Sequence, residues 1–311
     1  MRSWLAPTMN WTVAALLIAS LLPYVAPSKK FSELLSHFKF QYLLASILFL
    51  PLSWIAGNYW SMAGAAFVLA INSLGMVSFY YAGWRRRVGR EPLKIALVNI
   101  NHANSDYARF ASWAKVQPLD VLVVQEVNQD WADALNSLRQ QYPFSIVLPR
   151  EQGSGIALYS RMPMESSSLE LGEGDDRPGI KARLTIGEKK IAIVSFHPRA
   201  PIRKGHFALR NRMLATAAVH LRDMDNPKIC IGDFNTSPCS YYYRSFLQQT
   251  QLKDSRNARG LLPTWPTFLI FRWIMIPIDH CLISNDIRVV KMKTGEDIGS
   301  DHLPLMIDLK F

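Results

Sequence analysis

The stretch CIGDFNTSP, Cys230 to Pro238, decides the reading of this chain. The run Lys228–Ile231 that leads into it is short, apolar and β-branched, as a buried strand is. It stops at Gly232 and at once presents an acid, an aromatic and an amide. Side chains two apart on an extended segment point the same way. Asp233 and Asn235 are therefore expected to face one small volume, with Phe234 turned into the core. Gly232 is expected to let another backbone approach closely.

Outward from this stretch, the same pattern recurs at other strand ends. Strands are predicted at 93–99, 120–125, 154–160, 180–186, 191–196, 278–283, 287–292 and 305–309, with Gly187-Glu188 as a hairpin turn. Helical spacing marks 106–116, 131–139, 207–222 and 241–249. Polar residues stand at the edges: Asn99 and Asn101 after the first strand, Glu126 after the second, then His197, Asp233 with Asn235, Asp279 with His280, and Ser300-Asp301-His302 before the last. One acid after a strand is a common turn former, but six such edges point to a shared site at one rim. Strands mixed with helices and hairpins predict an α/β domain of mixed sheets packed face to face, with helices outside.

The amino-terminal part differs. Residues 3–28 and 40–84 contain no Lys, Arg, Asp or Glu. About 20 apolar residues span a bilayer as a helix. Spans are predicted near 8–26, 40–57 and 60–83, the last two parted at Gly57-Asn58. Residues 1–90 hold 8 basic residues and 1 acid, whereas 91–311 hold 27 and 23, so most of the net charge of +11 flanks the hydrophobic segments. Lys29, Lys30 and Lys39, with Arg85, Arg86, Arg87 and Arg90, fall on one side of a three-span arrangement. The positive-inside rule then puts residues 91–311 in the cytoplasm. Two spans, or a cleaved first segment, would move that domain to the other side. No A-x-A-like site follows the first segment, which argues against cleavage. The three cysteines have no CxxC pair and no ladder spacing, so no disulfide framework is implied.

The ordered phrases VNIN, VVQEV, SFHP, IGDFN, IDHCLIS and GSDHLP resemble the endonuclease/exonuclease/phosphatase superfamily over about residues 93–311. HPRAP, the pair Arg210-Asn211, and PTWP before IPIDH are similar to its bacterial membrane-anchored branch. The resemblance implies a four-layer α/β sandwich, two mixed sheets flanked by helices, with residues 1–90 as a membrane anchor and 91–311 as the catalytic domain. It implies a divalent-metal-dependent phosphoric ester hydrolase of a bacterial plasma membrane, multi-pass. Glu126, with Asn99 and Asp301 nearby, is the expected ligand set for Mg²⁺ or Mn²⁺, hard cations that prefer oxygen donors. Asp233 is expected to orient or deprotonate a water, and Asn235 to hold a phosphoryl oxygen without adding negative charge. Asp279 would orient His302, which serves as general base or binds the phosphate. His197 would add a second imidazole. His280 reads as a strand residue; His102, His206 and His220 as surface; Arg210 and Asn211 as solvated or structural; Asn101 and Ser300 as turn formers or substrate contacts.

The substrate is less determined. The anchor favours a phospholipid head group or lipid-linked phosphate at the bilayer; the apolar stretch Thr267–Pro277 before Asp279 reads first as a buried strand with Arg272 snorkelling, and alternatively as a loop dipping into the headgroup region beside the site. Arg199, Arg203, Lys204, Arg210 and Arg212 near His197 are the candidate basic surface for a nuclease acting on DNA or RNA, and they suit an anionic head group equally well. A catalytically inactive binding module is the third reading, and the complete set of site residues weighs against it. No obligate protein partner is implied.

Overall fold

The computed structural model describes residues 2–81, 93–172, 176–267 and 274–311. Two six-stranded sheets form the centre, each with strands apolar enough to be covered on both faces. β1 (Leu93–Asn99), β2 (Val121–Gln125), β3 (Phe144–Leu148), β4 (Ile156–Ser160), β11 (Arg288–Thr294) and β12 (Leu305–Lys310) make the first, in the order β11-β12-β1-β2-β4-β3. β5 (Met164–Glu170), β6 (Pro178–Ile186), β7 (Lys189–Ser195), β8 (Lys228–Asp233), β9 (Lys253–Asp254) and β10 (Asp279–Ile283) make the second, in the order β5-β6-β7-β8-β10-β9.

Strand alternation sorts the core into layers. Leu93, Ile95 and Leu97 of β1 face inward and pack with Ile191, Ile193, Ile229 and Ile231 of the second sheet. The alternate residues Ala96 and Val98 face outward, onto Phe110 and Trp113 of α6 (Tyr107–Val116) and Trp131 of α7 (Gln129–Leu135). On the far side, Val194 and Cys230 meet Met213, Leu214 and Leu221 of α8 (His206–Arg222) and Phe246 of α9 (Tyr241–Thr250). The result is the expected four-layer sandwich. The described cysteines, Cys230, Cys239 and Cys281, are free and buried.

Pairing direction then fixes where the chemistry gathers. β1 and β2 are parallel, with Asn99 opposite Gln125. β7 and β8 are also parallel. β10 runs antiparallel to β8 and enters at the same end, Asp279 opposite Asp233. β12 is antiparallel to β1, so residues 300–302, which precede it, lie at the carboxyl end of β1. Carboxyl ends of parallel strands are where open α/β sheets place ligands.

The amino-terminal helices are α1 (Arg2–Val25), α2 (Lys30–Ser36), α3 (Lys39–Ile55), α4 (Tyr59–Leu74) and α5 (Val77–Tyr80). Ala6–Val25 is long and apolar enough to cross a membrane. α2 and α3 pass that test only together and are bent by 62° at their junction. The third expected span is not one continuous helix: α4 ends at Leu74, and the chain turns to the sandwich. Ser78 and Phe79 carbonyls accept from Ala258 and Gly260 amides, and Met76 and Phe79 bury against Cys239 and Leu261. Burial in this bundle is inverted relative to the sandwich. Ser20, Ser46, Ser53, Ser61 and Asn72 are buried, while Trp11, Ile18, Ile47, Leu48, Trp54, Trp60, Phe67 and Leu74 are exposed. The basic segment Arg85–Arg90 lies outside the described residues, as do 268–273 of the apolar stretch before Asp279.

Candidate active site

Asn99 sits where the two sheets meet. Its side-chain amide lies 3.1 Å from Glu126 Oε1, 3.3 Å from Asp233 Oδ2 and 3.5 Å from His302 Nε2. Residues from three separated parts of the chain thus surround one buried nitrogen from a fourth. Gln125 locks the sheets together behind it. Its Nε2 donates to Phe196 O at 2.9 Å, and its Oε1 accepts from the Asp233 amide at 2.8 Å. Gly232 permits the close approach: a Cβ there would stand 2.2 Å from Phe196 O.

The Asp233 carboxylate faces two imidazoles, His197 Nε2 at 3.3 Å and His302 Nε2 at 3.8 Å. His302 Nδ1 is 2.8 Å from Asp279 Oδ2. Asp233, Asp279 and His302 form a buried group whose ligand atoms all lie within 4.8 Å of one another. Asp279 Oδ1 is buried with no hydrogen-bond partner. Burial opposes charge on His302, but the Asp279 carboxylate, then those of Asp233 and Asp301, outweigh it and push the imidazole up to about 10. Burial likewise works against ionised Asp233, and the hydrogen bond and charge of His197, with the charge of His302, hold it below the usual carboxylate range. Glu126 is also held down: burial is opposed by His197, by His102 and by the Asn99 amide. The site at neutral pH is therefore an array of carboxylates around an imidazolium.

Asp233 and Asn235 do converge, but not by strand alternation. Asn235 is left-handed, with φ 50°, and its amide donates to Asp233 Oδ1 at 2.8 Å, closing a turn around the acid. Asn235 Nδ2 is then 3.2 Å from His197 Nε2. Phe234 does turn inward, stacked on Phe196 with ring centroids 4.8 Å apart. Glu126 is left-handed too, φ 69°, a conformation costing about 1–3 kcal/mol for such a residue. It aims the carboxylate at the rim, where 19% of its side chain stays exposed. Asp301 accepts from the Trp265 indole at 3.0 Å and reaches the group through the field it exerts on its neighbour His302.

Other expectations need correction. His102 is exposed as expected, but it is partnered: its amide and Nδ1 both bind Glu126 Oε2, at 3.1 and 2.8 Å. Ser300 is a brace, donating to Asn99 O and accepting from the His302 amide. His280, by contrast, is a buried strand residue of β10 as expected, donating from Nε2 to Thr236 O at 2.8 Å while Nδ1 accepts from Arg256. Burial first, then Arg256, drives its pKa well below 6.5. Sequence reasoning gave no role to Gln125, to Arg177, which donates to His197 O and Gly153 O, or to Glu33 of α2 and His37 at its carboxyl cap. That it is the single acid among residues 1–90 was the available signal for Glu33.

The donor set suits a hard divalent cation. Around Glu126, Asp233 and Asp279 it offers carboxylate oxygens with imidazoles at the edge and no thiolate among the described residues, and one Asp279 oxygen has no hydrogen-bond partner, while Asn99 turns its nitrogen inward because its Oδ1 accepts from the Asn101 amide.

A two-sheet sandwich with acids, amides and imidazoles at the carboxyl ends of its parallel strands defines an α/β-sandwich hydrolase. The Endonuclease/Exonuclease/phosphatase family model matches residues 96–302, and the chain belongs to that family of phosphoric ester hydrolases. No curated protein matches the chain. Among solved structures, a 3′ phosphatase from Neisseria, bound to a product DNA hairpin, is 20% identical over 70% of this chain and 100% of its own, with TM-score 0.59. An endonuclease/exonuclease/phosphatase from Beutenbergia cavernae is 19% identical over 71% of this chain and 72% of its own, also at 0.59. Sphingomyelinase C from Streptomyces griseocarneus is 16% identical over 70% and 99%, at 0.54. At these identities the likeness is one of fold.

Proposed function

We propose that the chain is a membrane-anchored, Mg²⁺- or Mn²⁺-dependent phosphoesterase acting on a phosphate ester held at the bilayer, with residues 1–90 as anchor and 91–311 as catalytic domain. The observation that carries the substrate class is the inverted burial of the helical bundle, polar inside and aromatic or aliphatic outside. In water such a surface is a liability. In lipid it is the normal arrangement, where small and polar residues mediate helix contacts. Asn72 donating to Ser20 at 2.9 Å, and Ser61 to Asn10 at 2.6 Å, are contacts of that kind. α3 and α4 then form a hairpin, with exposed Trp54, Tyr59 and Trp60 at its turn as an interfacial aromatic belt. The basic residues 29–39 and 85–90 support a cytoplasmic sandwich on the bacterial plasma membrane, and multi-pass insertion.

Glu126, Asn99 and Asp301 would hold the cation, which supplies polarisation of a phosphoryl oxygen and charge neutralisation. Asp233, ionised and 3.3 Å from His197, is suited to orient and deprotonate the attacking water. Asn235 Nδ2 and His197 present donors to a non-bridging oxygen. His302, held as imidazolium by Asp279, donates from Nε2 to the phosphoryl group as negative charge grows there.

The nuclease reading keeps one support, the exposed Arg203 and Lys204 beside the His197 loop. Full-length protein in liposomes decides between the two. With Mg²⁺ it should release phosphorylated head group from phospholipid vesicles, and a chelator should abolish this. DNA cleavage with intact vesicles would replace the lipid reading by the nuclease one, and chelator-insensitive hydrolysis would remove the metal.

A further inference from the structure

Glu33 is fully buried, far from the site in sequence, and surrounded by groups from the loop that carries Asn235. Its Oε1 accepts from Thr236 Oγ1 at 2.9 Å and from Ser240 Oγ at 2.7 Å, and lies 3.1 Å from Arg210 Nη1. Arg210, also fully buried, turns the same Nη1 to Asn235 O at 3.0 Å and spends Nε and Nη2 on Asn211 Oδ1. One turn further on, at the carboxyl cap of α2, His37 Nδ1 accepts the Ser237 amide at 3.1 Å, which leaves its Nε2 proton facing Glu33 Oε2 at 3.4 Å. A single amino-terminal helix therefore grips Thr236, Ser237 and Ser240, and through Arg210 the carbonyl of Asn235.

We propose that Glu33 is a positioning residue for Asn235, and that α2 is thereby a working part of the active site rather than only a tether. This rests on the reading of Asn235 as a catalytic donor. Charge and backbone strain tie the two residues together. Asn235 holds a left-handed conformation in which its amide closes on Asp233 and its side chain meets His197. Its carbonyl is fixed from beneath by a guanidinium that no solvent reaches, and the carboxylate that balances this cation belongs to α2. Withdrawing that carboxylate leaves a buried cation with every reason to move toward water, and Asn235 O moves with it. His280 braces the loop from the β10 side through the carbonyl of the next residue, Thr236. The metal-side residues Glu126 and Asn99 belong to the other sheet.

The test is a double-mutant cycle on the full-length protein in micelles: wild type, Glu33→Gln, Asn235→Ala and both together. Glu33→Gln keeps an acceptor for the two hydroxyls and removes the charge. Its kcat should fall about 10- to 100-fold with KM within about threefold, the scale expected for a donor displaced by a fraction of an ångström to 1 Å. In the Asn235→Ala background the same change should cost less than about threefold, because the group it positions is gone. Thr236→Val, which removes one hydroxyl and no charge, should give a smaller kcat loss of the same kind and serves if Glu33→Gln does not fold. Wild-type kcat in folded Glu33→Gln or Thr236→Val, or costs that multiply in the double variant, would overturn the inference. An Asn235→Ala protein with full activity would instead overturn the catalytic reading on which it rests.

Discussion

Asp279→Asn tests the imidazolium assignment at His302. The asparagine oxygen still accepts from His302 Nδ1, now at 2.8 Å from a neutral partner, and the amide nitrogen takes the place of Asp279 Oδ1, which has no partner. Two losses follow. The largest force raising His302 to about 10 disappears, so its pKa returns toward 6.5 or below. At pH 7.5 a group of pKa about 6.5 is protonated only about a tenth of the time, a loss of about tenfold. The transition state also loses a charge-assisted hydrogen bond worth about 1.5–3 kcal/mol, a further factor of about 10–150. The combined expectation is a kcat reduced about 10²- to 10³-fold, read as release of nitrophenol from a soluble aryl phosphodiester with Mg²⁺. The alkaline limb of the profile should move from near 10 to below 7, with the remaining activity highest at acid pH. A variant within about fivefold of wild type, or one with an unmoved alkaline limb, would refute the reasoning.

Gly232→Ala forces a Cβ to 2.2 Å from Phe196 O, so strand β8 must retreat by about 1 Å, a displacement that costs about 10²-fold in kcat; stopped assays should show this with Mn²⁺ affinity nearly unchanged. Gln125→Leu orphans the Asp233 amide and Phe196 carbonyl, both buried, and should lower stability by about 2–6 kcal/mol in urea titrations of the chelated protein. For pH, the raised His302 contributes stability that is complete below about 6.5 and is lost as pH climbs through about 10, whereas the depressed Asp233 and Glu126 contribute stability that is lost on acidification. Melting temperature in chelator should therefore fall between pH 7 and 10, and His302→Gln should flatten that fall; an identical slope in both proteins would contradict the assignment.

The sandwich was legible because most of its strands are buried on both faces, and continuous β-branched runs such as Ile191–Ser195 leave little ambiguity. The edges were not. β5 carries Ser166-Ser167-Ser168, exposed residues with no apolar period, and β3 is a short run at the margin of its sheet. The rim residues were legible by type and position after strands. Their geometry was not, because it depends on left-handed Glu126 and Asn235 and on cross-sheet bonds from Gln125 that no local pattern encodes. The helical part misled through composition. An uncharged run reads as continuous span, yet α4 stops at Leu74 before the chain turns to the sandwich, and the short helix α2 stands where a loop was expected. Glu33 finds its partner Arg210 across 177 positions, a pairing that only the folded chain reveals.

The central claim is that Glu126, with Asn99 and Asp301 at the rim of the first sheet, holds one divalent cation. Calorimetric titration of chelator-treated, full-length protein with Mn²⁺ tests it directly, comparing wild type with Glu126→Gln. The account predicts a single site per chain, weakened about 100-fold or more in the variant while its fold, read by circular dichroism, is unchanged. Absence of binding to the wild-type protein, or equal affinity in folded Glu126→Gln, would contradict it.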